Sequence, residues 1–108
     1  MKFESFLKKG EFVVPECNEC KVVIWPPSDY CNRCLLKTKW RKANTVGKIL
    51  EFSKKGEKYF CLSQFERDVK IMGILEAEPQ KMPEIGDQVK LESCGIKDGA
   101  HYFVMKLI

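Results

Sequence analysis

Two cysteine pairs with the same internal spacing constrain this chain more than any other feature. Cys17 and Cys20 form the first pair, and Cys31 and Cys34 form the second after ten intervening residues. A gap of two residues lets both sulfurs of a pair point at one atom from a tight turn, and two such turns supply the four thiolates of a closed tetrahedral site. The spacing therefore predicts a metal site, most often for zinc.

Two disulfides, or four unligated thiols in a core, are the alternatives to a metal site. Both fit less well, because the N-terminus does not resemble a secretory signal and cytosolic thiols stay reduced. We therefore expect a cytoplasmic protein. Four thiolates leave no open coordination position for water or substrate, so the expected role of the metal is structural. A single iron fits the same four sulfurs, which leaves zinc and iron both open.

The charge distribution says more than the net charge of +4. Residues 1–45 carry nine Lys/Arg against five Asp/Glu, whereas residues 46–108 carry ten of each. Four thiolates with one divalent metal add about −2 to the basic part, so the electrostatic case for nucleic acid is weak. No apolar run approaches the roughly 18–20 residues that span a bilayer, so we expect no membrane association.

The N-terminal residues predict a short amphipathic helix over positions 1–10. Phe3, Phe6 and Leu7 lie at i, i+3 and i+4, and Gly10 follows the pattern. Ten residues are too few to be helical alone, so this apolar stripe must dock on something. It covers either the chain's own core or a partner, and we favour the core.

Residues 11–43 predict a small ribbon around the cysteine turns. The runs at 12–15 and 22–25 suit two short strands, and Pro26-Pro27 ends the second because proline cannot donate to a ladder. Beyond Cys34, basic side chains surround Trp40; they are Lys37, Lys39, Arg41 and Lys42.

Basic side chains around an aromatic ring suit a surface that binds the phosphates and bases of nucleic acid. They also suit a solvated strand that has Lys37, Lys39 and Arg41 on one side and Thr38 and Trp40 on the other, and we favour this second interpretation.

From Asn44 onward, short strands alternate with turn signals, as in a small all-β barrel or sandwich. The predicted strands are Thr45 to Phe52, Lys58 to Phe65, Val69 to Ala77, Gln88 to Cys94 and His101 to Leu107. Gly56 and Lys97-Asp98-Gly99 mark turns, and residues 78–83 form a longer connector. We therefore divide the chain into residues 1–43 and 44–108.

The sequence contains no recognisable catalytic constellation. Cys61 and Cys94 fall inside predicted strands and are expected in the core, and His101 is the only histidine. A Cys94/His101 pair across the last hairpin is conceivable, but no oxyanion motif accompanies it. Because Gly-rich phosphate loops, Gly-x-Ser-x-Gly and His-Glu-x-x-His are absent from the sequence, we expect a protein that is not an enzyme.

Taken together, the helix, ribbon and barrel closely resemble the acyl-CoA-associated zinc-ribbon/OB-fold family, long classed as a domain of unknown function and abundant in archaea. The resemblance covers essentially the whole chain. It is carried by Cys17, Cys20, Val22 to Pro27, Cys31, Cys34, Gly47, Gly73 and Ile85-Gly86-Asp87. The chain departs from the family where glycine commonly follows each cysteine pair, since Lys21 and Leu35 stand there.

The resemblance implies a mainly β fold with a short N-terminal helix, a rubredoxin-like zinc ribbon and a five-stranded OB-fold barrel. It also implies a non-catalytic scaffold with structural Zn²⁺. Such a subunit holds an acetoacetyl-CoA thiolase against a hydroxymethylglutaryl-CoA synthase, so that the thiolase product passes directly to the next enzyme of the mevalonate pathway. Relatives accompany other acyl-CoA enzymes.

On this hypothesis the aromatic anchors are Phe3, Phe6, Trp25 and Trp40, because aromatic residues dominate interface energetics. Lys37, Lys39, Arg41 and Lys42 then face either an acidic enzyme surface or the phosphates of coenzyme A. The rival hypothesis is a single-stranded nucleic-acid-binding module with Tyr59, Phe65, Tyr102 and Phe103 on one barrel face. An acyl-transfer enzyme using Cys61 or Cys94 is the third and weakest hypothesis.

Overall fold

The structure, a computed structural model, describes residues 2–78 and 80–108. It contains one helix and eight strands in these residues, in the order α1 Lys2–Lys8, β1 Val13–Cys17, β2 Val22–Val23, β3 Lys39–Lys42, β4 Val46–Lys55, β5 Lys58–Gln64, β6 Lys70–Glu76, β7 Gln88–Lys97 and β8 Ala100–Leu107. The mainly β fold class is confirmed. Two predicted segments lie partly outside the described residues, the helix at Met1 and the 78–83 connector at Pro79.

The three N-terminal strands form a small antiparallel sheet in the order β2-β1-β3. Strand β1 is central, with Cys17 opposite Val22 on one side and Pro15 opposite Trp40 on the other. The strand predicted to reach Trp25 ends at Val23, although the Ile24 N–H still donates to the Pro15 carbonyl oxygen at 2.9 Å. This sheet is the ribbon from which both cysteine turns project.

The five C-terminal strands close into a barrel in the order β4-β5-β6-β8-β7, as the OB-fold expectation requires. Its strand pairs are antiparallel except β6 with β8, which run parallel. Strand β4 closes the ring by pairing with β7 over Val46–Lys48 and with β5 beyond. The Asp98-Gly99 turn has φ values of 53° and 79°, the left-handed pair that a tight two-residue hairpin needs.

Helix, ribbon and barrel share one apolar core. Phe3 and Leu7 of α1 are buried in it, as is Phe12, whose ring lies edge-on to Phe65 and Phe103 at centroid distances of 5.8 Å. Phe3 and Leu7, two of the three residues of the apolar stripe, therefore cover the chain's own core, the alternative that we favoured, whereas Phe6 is half-buried beside Trp40. The ribbon strands end at Lys42 and the barrel begins at Val46, and the division into residues 1–43 and 44–108 stays a prediction.

No helix in the described ranges, 2–78 and 80–108, is long and apolar enough to cross a membrane.

Candidate metal centre and docking surface

Both cysteine pairs fold into the same kind of turn. In the first, the Lys21 N–H donates to the Cys17 carbonyl oxygen at 2.9 Å, and the Cys20 N–H points at the Cys17 Sγ at 3.4 Å. In the second, the Leu35 N–H donates to the Cys31 carbonyl oxygen at 3.0 Å, and the Arg33 N–H points at the Cys31 Sγ at 3.4 Å. Backbone amides therefore stabilise negative charge on a sulfur in each turn.

The four thiols converge on one point. The four Sγ atoms lie within 4.8 Å of one another, with 3.4 Å between those of Cys17 and Cys34 and 3.9 Å between those of Cys20 and Cys31. Tetrahedral Zn–S bonds of about 2.3 Å place two sulfurs about 3.8 Å apart, whereas a disulfide requires about 2.05 Å. All four cysteines are free, so the arrangement fits a metal and not two disulfides.

The pKa values of thiols in this cluster favour a bound cation. The pKa of Cys31 falls to about 6, because the backbone amides of Cys34 and Arg33 donate to its sulfur. Desolvation and the neighbouring thiols raise the pKa of Cys20 to about 12. Without a metal, the first thiolate therefore makes the others harder to form, and a divalent ion removes this conflict.

Four sulfur ligands select a soft ion, which keeps both zinc and iron open. Cys17, Cys20, Cys31 and Cys34 would hold it, and the ion would supply a structural cross-link between the two turns. A closed four-sulfur set leaves no site at the ion for water or substrate.

The two departures from glycine lie at the strained positions of these turns. Lys21 and Leu35 both have left-handed backbone, with φ values of 56° and 62°. This conformation disfavours residues with a Cβ by roughly 1–2 kcal/mol. The cysteine turns therefore keep the left-handed conformation without glycine, and the Leu35 side chain is 75% exposed.

Phe3 is not the exposed anchor that the docking hypothesis expected. It is only 4% exposed, because the helix turns it onto the core, where Trp25 packs edge-on against it at a centroid distance of 5.6 Å. Trp25 is half-buried by the same contact. Phe3 therefore stabilises the fold and is unavailable to a partner.

Phe6 and Trp40 lie together at the surface between α1 and β3. Their rings are 6.3 Å apart and inclined by 31°, and the Trp40 Nε1–H donates to Asp29 Oδ1 at 3.1 Å. Thr38 is buried, whereas Lys37 and Lys39 are exposed, so the predicted strand alternation holds up to Lys39. Both aromatic side chains are half-buried and line a groove between α1 and β3.

Arg41 is engaged within the chain and does not face outward as a free cation. Its guanidinium contacts Glu66 Oε1 at 3.0 Å and Glu16 Oε2 at 3.3 Å. Glu66 also accepts the Asn44 N–H at 2.7 Å, and its pKa is lowered mainly by the hydrogen bond from Arg41. Arg41 thus links the ribbon to the barrel, while the neighbouring Lys42 is exposed.

The aromatic barrel face expected for nucleic acid does not form. Phe65 and Phe103 are buried in the core, and among the four candidates only Tyr59 and Tyr102 reach the surface. Two of the four rings therefore cannot stack on bases.

The two remaining cysteines are buried, as expected. Burial raises the pKa of both the Cys61 and Cys94 thiols. His101 lies near Glu4, with 3.7 Å between His101 Nε2 and Glu4 Oε1, and its ring contacts Phe3. Neither thiol has the lowered pKa of an activated nucleophile.

Sequence reasoning missed an exposed apolar tip on the second cysteine turn. Leu35 and Leu36 are 75% and 51% exposed, and Tyr30 lies beside them, where it bridges to Lys37. The signal was present in the sequence as a Leu-Leu pair directly after the fourth cysteine. We call these three residues, Tyr30, Leu35 and Leu36, the ribbon tip.

Two solved structures share this architecture. The chain aligns with the Ltp2-ChsH2(DUF35) aldolase at 16% identity and a TM-score of 0.77, covering 98% of this chain and 91% of that one. It aligns with a protein of unknown function from the DUF35 family of Sulfolobus solfataricus at 16% identity and a TM-score of 0.67, covering 99% of this chain and 83% of that one. At this identity, the likeness establishes a shared fold. No protein-family model and no curated protein matches the chain.

Proposed function

We propose that this chain is a DUF35-type accessory subunit that associates with enzymes of acyl-CoA metabolism and is not itself catalytic. The observation that carries the proposal is the fold match over 98% of the chain to a protein described jointly with a second one, as the Ltp2-ChsH2(DUF35) aldolase. The match includes the helix, ribbon and barrel together, which is more specific than a ribbon or a barrel alone.

In the finer proposal, the chain bridges an acetoacetyl-CoA thiolase and a hydroxymethylglutaryl-CoA synthase in the mevalonate pathway of an archaeon. Support comes from the motifs that resemble the bridging family, above all the cysteine pairs and Ile85-Gly86-Asp87. The intermediate that passes between these enzymes is unfavourable to form, so direct transfer draws the first reaction forward. A subunit in this role needs docking surfaces and no active site.

The chemistry of the buried thiols supports a non-catalytic role. Burial raises the pKa values of Cys61 and Cys94, whereas a cysteine nucleophile requires a lowered pKa or an adjacent base. Cys61 lies against the Met105 sulfur at 3.4 Å and accepts from Ser63, as core side chains do.

The ribbon tip offers this subunit a docking surface. Leu35 and Leu36 are large, apolar and exposed at the end of the second cysteine turn, whose backbone a bound metal would fix before a partner binds. A preorganised apolar contact loses little conformational entropy on association. The metal would then contribute to binding through the shape of the turn.

Reconstitution with the two enzymes tests the proposal that the chain bridges the thiolase and the synthase. The purified chain, a thiolase and a synthase from the same cells are mixed, and the molar mass of the assembly is measured by light scattering after size-exclusion chromatography. We expect one species that contains all three proteins, with less acetoacetyl-CoA released to solution than when the chain is omitted. Assembly without any effect on this release would contradict channelling.

A pull-down of the tagged chain from native cells tests the proposal that it is an accessory subunit of acyl-CoA enzymes. Recovery of other acyl-CoA enzymes in fixed ratio would retain the accessory role and overturn the named partners. Recovery of salt-sensitive RNA or single-stranded DNA without an enzyme would overturn both and favour the nucleic-acid alternative. Leu36→Asp is expected to reduce enzyme recovery, whereas Met72→Asp on the barrel, 68% exposed, serves as its matched control.

A further inference from the structure

We infer that the groove between α1 and β3 binds a single nucleotide, with phosphates held by lysines and the base stacked on Trp40. The cavity has a volume of about 420 Å³, within the range of small-ligand sites. It is lined by Lys2, Ser5, Phe6, Lys9, Thr38, Lys39 and Trp40. Among the described residues that line it, three are lysines and none is acidic, so the groove favours an anion.

The helix supplies one wall of the groove. Lys2 and Phe6 lie four residues apart on α1, and Lys9 follows directly after the helix ends at Lys8. Seven helical residues span about 10 Å, so Lys2 and Lys9 belong to opposite ends of this wall. Phe3 and Leu7 occupy the buried side of the helix, whereas Lys2 and Lys9 are exposed.

Strand β3 supplies the opposite wall. Lys39 is exposed, and Trp40 is held by its Nε1–H bond of 3.1 Å to Asp29, which does not itself line the groove. Because the indole is fixed, stacking a base on it costs little further ordering. Base–aromatic stacking typically contributes about 1–3 kcal/mol per base in single-strand-binding proteins.

The two aromatic rings limit how a base can lie. A ring inserted between Phe6 and Trp40 needs about 7 Å between the outer planes, since stacked carbons approach to about 3.5 Å. The observed centroid separation is 6.3 Å, which is too small for insertion. The ligand base therefore lies against the part of Trp40 that lines the groove, and its phosphates extend toward the lysines.

A single nucleotide fits better than a strand of nucleic acid. The lysines of the groove surround one aromatic platform, and the neutral barrel offers no continuation of positive charge. Binding to a long strand requires a groove that tracks the backbone past successive bases. The inference does not depend on the bridging role, since a nucleotide can bind whether or not the enzymes assemble.

Calorimetric titration with ADP at low salt tests the inference, with adenosine and pyrophosphate as probes for the ring and the charge alone. We expect ADP to bind with a dissociation constant below about 1 mM, and each partial probe to bind at least about tenfold more weakly. Raising the salt to physiological strength should weaken ADP binding, because the lysines are exposed. Absence of heat from ADP, or equal binding of pyrophosphate, would overturn the nucleotide site.

Matched lysine variants locate the site. Lys9→Gln and Lys39→Gln are each expected to weaken ADP binding about fivefold or more, whereas Lys8→Gln, next to Lys9 but outside the groove, should leave it unchanged. Equal weakening by Lys8→Gln would show nonspecific charge attraction and contradict the site. Chemical-shift changes at the Trp40 indole N–H on adding ADP provide a second readout that needs no variant.

Oligonucleotides distinguish the ligand class. Deoxyadenosine oligomers of two to six nucleotides should bind no more tightly than ADP after correction for the number of equivalent bases. An affinity that rises steeply with length would assign the groove to a nucleic acid strand and overturn the single-nucleotide inference. Neither result bears on recovery of the enzymes, so failure here and failure of the bridging proposal are separately visible.

Discussion

The ribbon and the barrel are both β-structures, but different interactions hold them. The larger core cluster draws side chains from α1, from Phe12 and Val14, and from all five barrel strands. Among the described residues, the cluster at the cysteine turns contains Cys17, Ile24 and Cys31, with Cys20 and Val22 packed beside it. So few apolar side chains cannot fix two turns by burial alone, so a metal bound by the four thiols would be their main cross-link.

The comparison extends to what each part presents to solvent. The barrel is neutral, whereas the ribbon is basic and ends in an exposed leucine pair. The region with the smaller apolar cluster therefore also carries the exposed leucines that we propose as a docking surface. Loss of a bound metal should weaken partner binding before it destabilises the barrel.

Removal of the metal is expected to have the largest effect. A chelator, or Cys31→Ser, should disorder the cysteine turns while barrel strands β4–β8 persist. The expected loss is on the order of 5 kcal/mol for the ribbon, since structural zinc contributes about 10–16 kcal/mol in zinc-finger peptides. Amide resonances from residues 17–37 should collapse to random-coil positions, whereas those of the barrel remain dispersed.

Cys61→Ala is the control for this experiment. Cys61 lies in the barrel core, so its loss should reduce global stability without changing metal content. Collapse of barrel resonances on chelation would show that ribbon and barrel fold as one cooperative unit and would contradict the difference drawn between them.

The next largest effect is expected at Gly73 in β6. An added Cβ would collide with the carbonyl oxygen of Phe103 on β8, which is backbone and cannot move aside. Gly73→Ala should therefore destabilise the barrel by about 3 kcal/mol, measured by urea denaturation. The exposed Met72→Ala on the same strand should change stability by about 0.5 kcal/mol or less, and an equally mild effect of Gly73→Ala would show that β6 and β8 separate readily.

Local patterns predicted most of the fold. The barrel strands were found within about three residues at each end because turn residues such as Gly56 and Asp98-Gly99 punctuate alternating runs. The four thiols were found because one short spacing determines their geometry. The strained positions Lys21 and Leu35 were visible as departures from an expected glycine.

Features that depend on distant contacts were not predictable. Arg41 has basic neighbours in sequence, but its partners Glu16 and Glu66 each lie 25 residues away. Phe3 has the same helical spacing whether it packs inward or docks outward, and only its burial against Trp25 decides. Similarly, nothing local brings Lys2 and Lys9 beside Lys39.

A smaller effect is expected from the Arg41–Glu66 pair that joins ribbon to barrel. The pKa of Glu66 lies below its ordinary value of 4.5 in the folded chain, chiefly because Arg41 donates to it. The unfolded chain therefore binds the proton more readily, so this stabilisation is present above pH 4.5 and is lost as the pH falls through the lower folded value.

Glu66→Gln should remove this part of the pH dependence and cost about 1 kcal/mol at neutral pH, near the upper end for exposed pairs. Urea denaturation of both proteins at pH 7 and at pH 3.5 gives the difference. Glu57→Gln, on the exposed β4–β5 turn, is the control. A Glu66→Gln protein that loses stability with acid as steeply as the parent would assign that dependence to other carboxylates.

The smallest expected effect comes from glycine substitutions in the two cysteine turns. Leu35→Gly and Lys21→Gly each replace a side chain at positive φ, and each should stabilise its turn by about 0.5 kcal/mol after the added chain entropy of glycine. Metal affinity, measured by competition with a chelator, should rise about twofold in both variants. Leu35→Ala keeps the strain and should not gain.

Recovery of partner enzymes should then distinguish these two glycine variants. Lys21→Gly is expected to leave recovery of partners unchanged, whereas Leu35→Gly should reduce it, because it deletes an exposed leucine of the ribbon tip. A protein that binds metal more tightly yet binds partners less well would show that the leucine is kept for docking at the expense of backbone strain. Unchanged recovery with Leu35→Gly would remove the tip from the docking surface and leave the strain at Leu35 without a functional explanation.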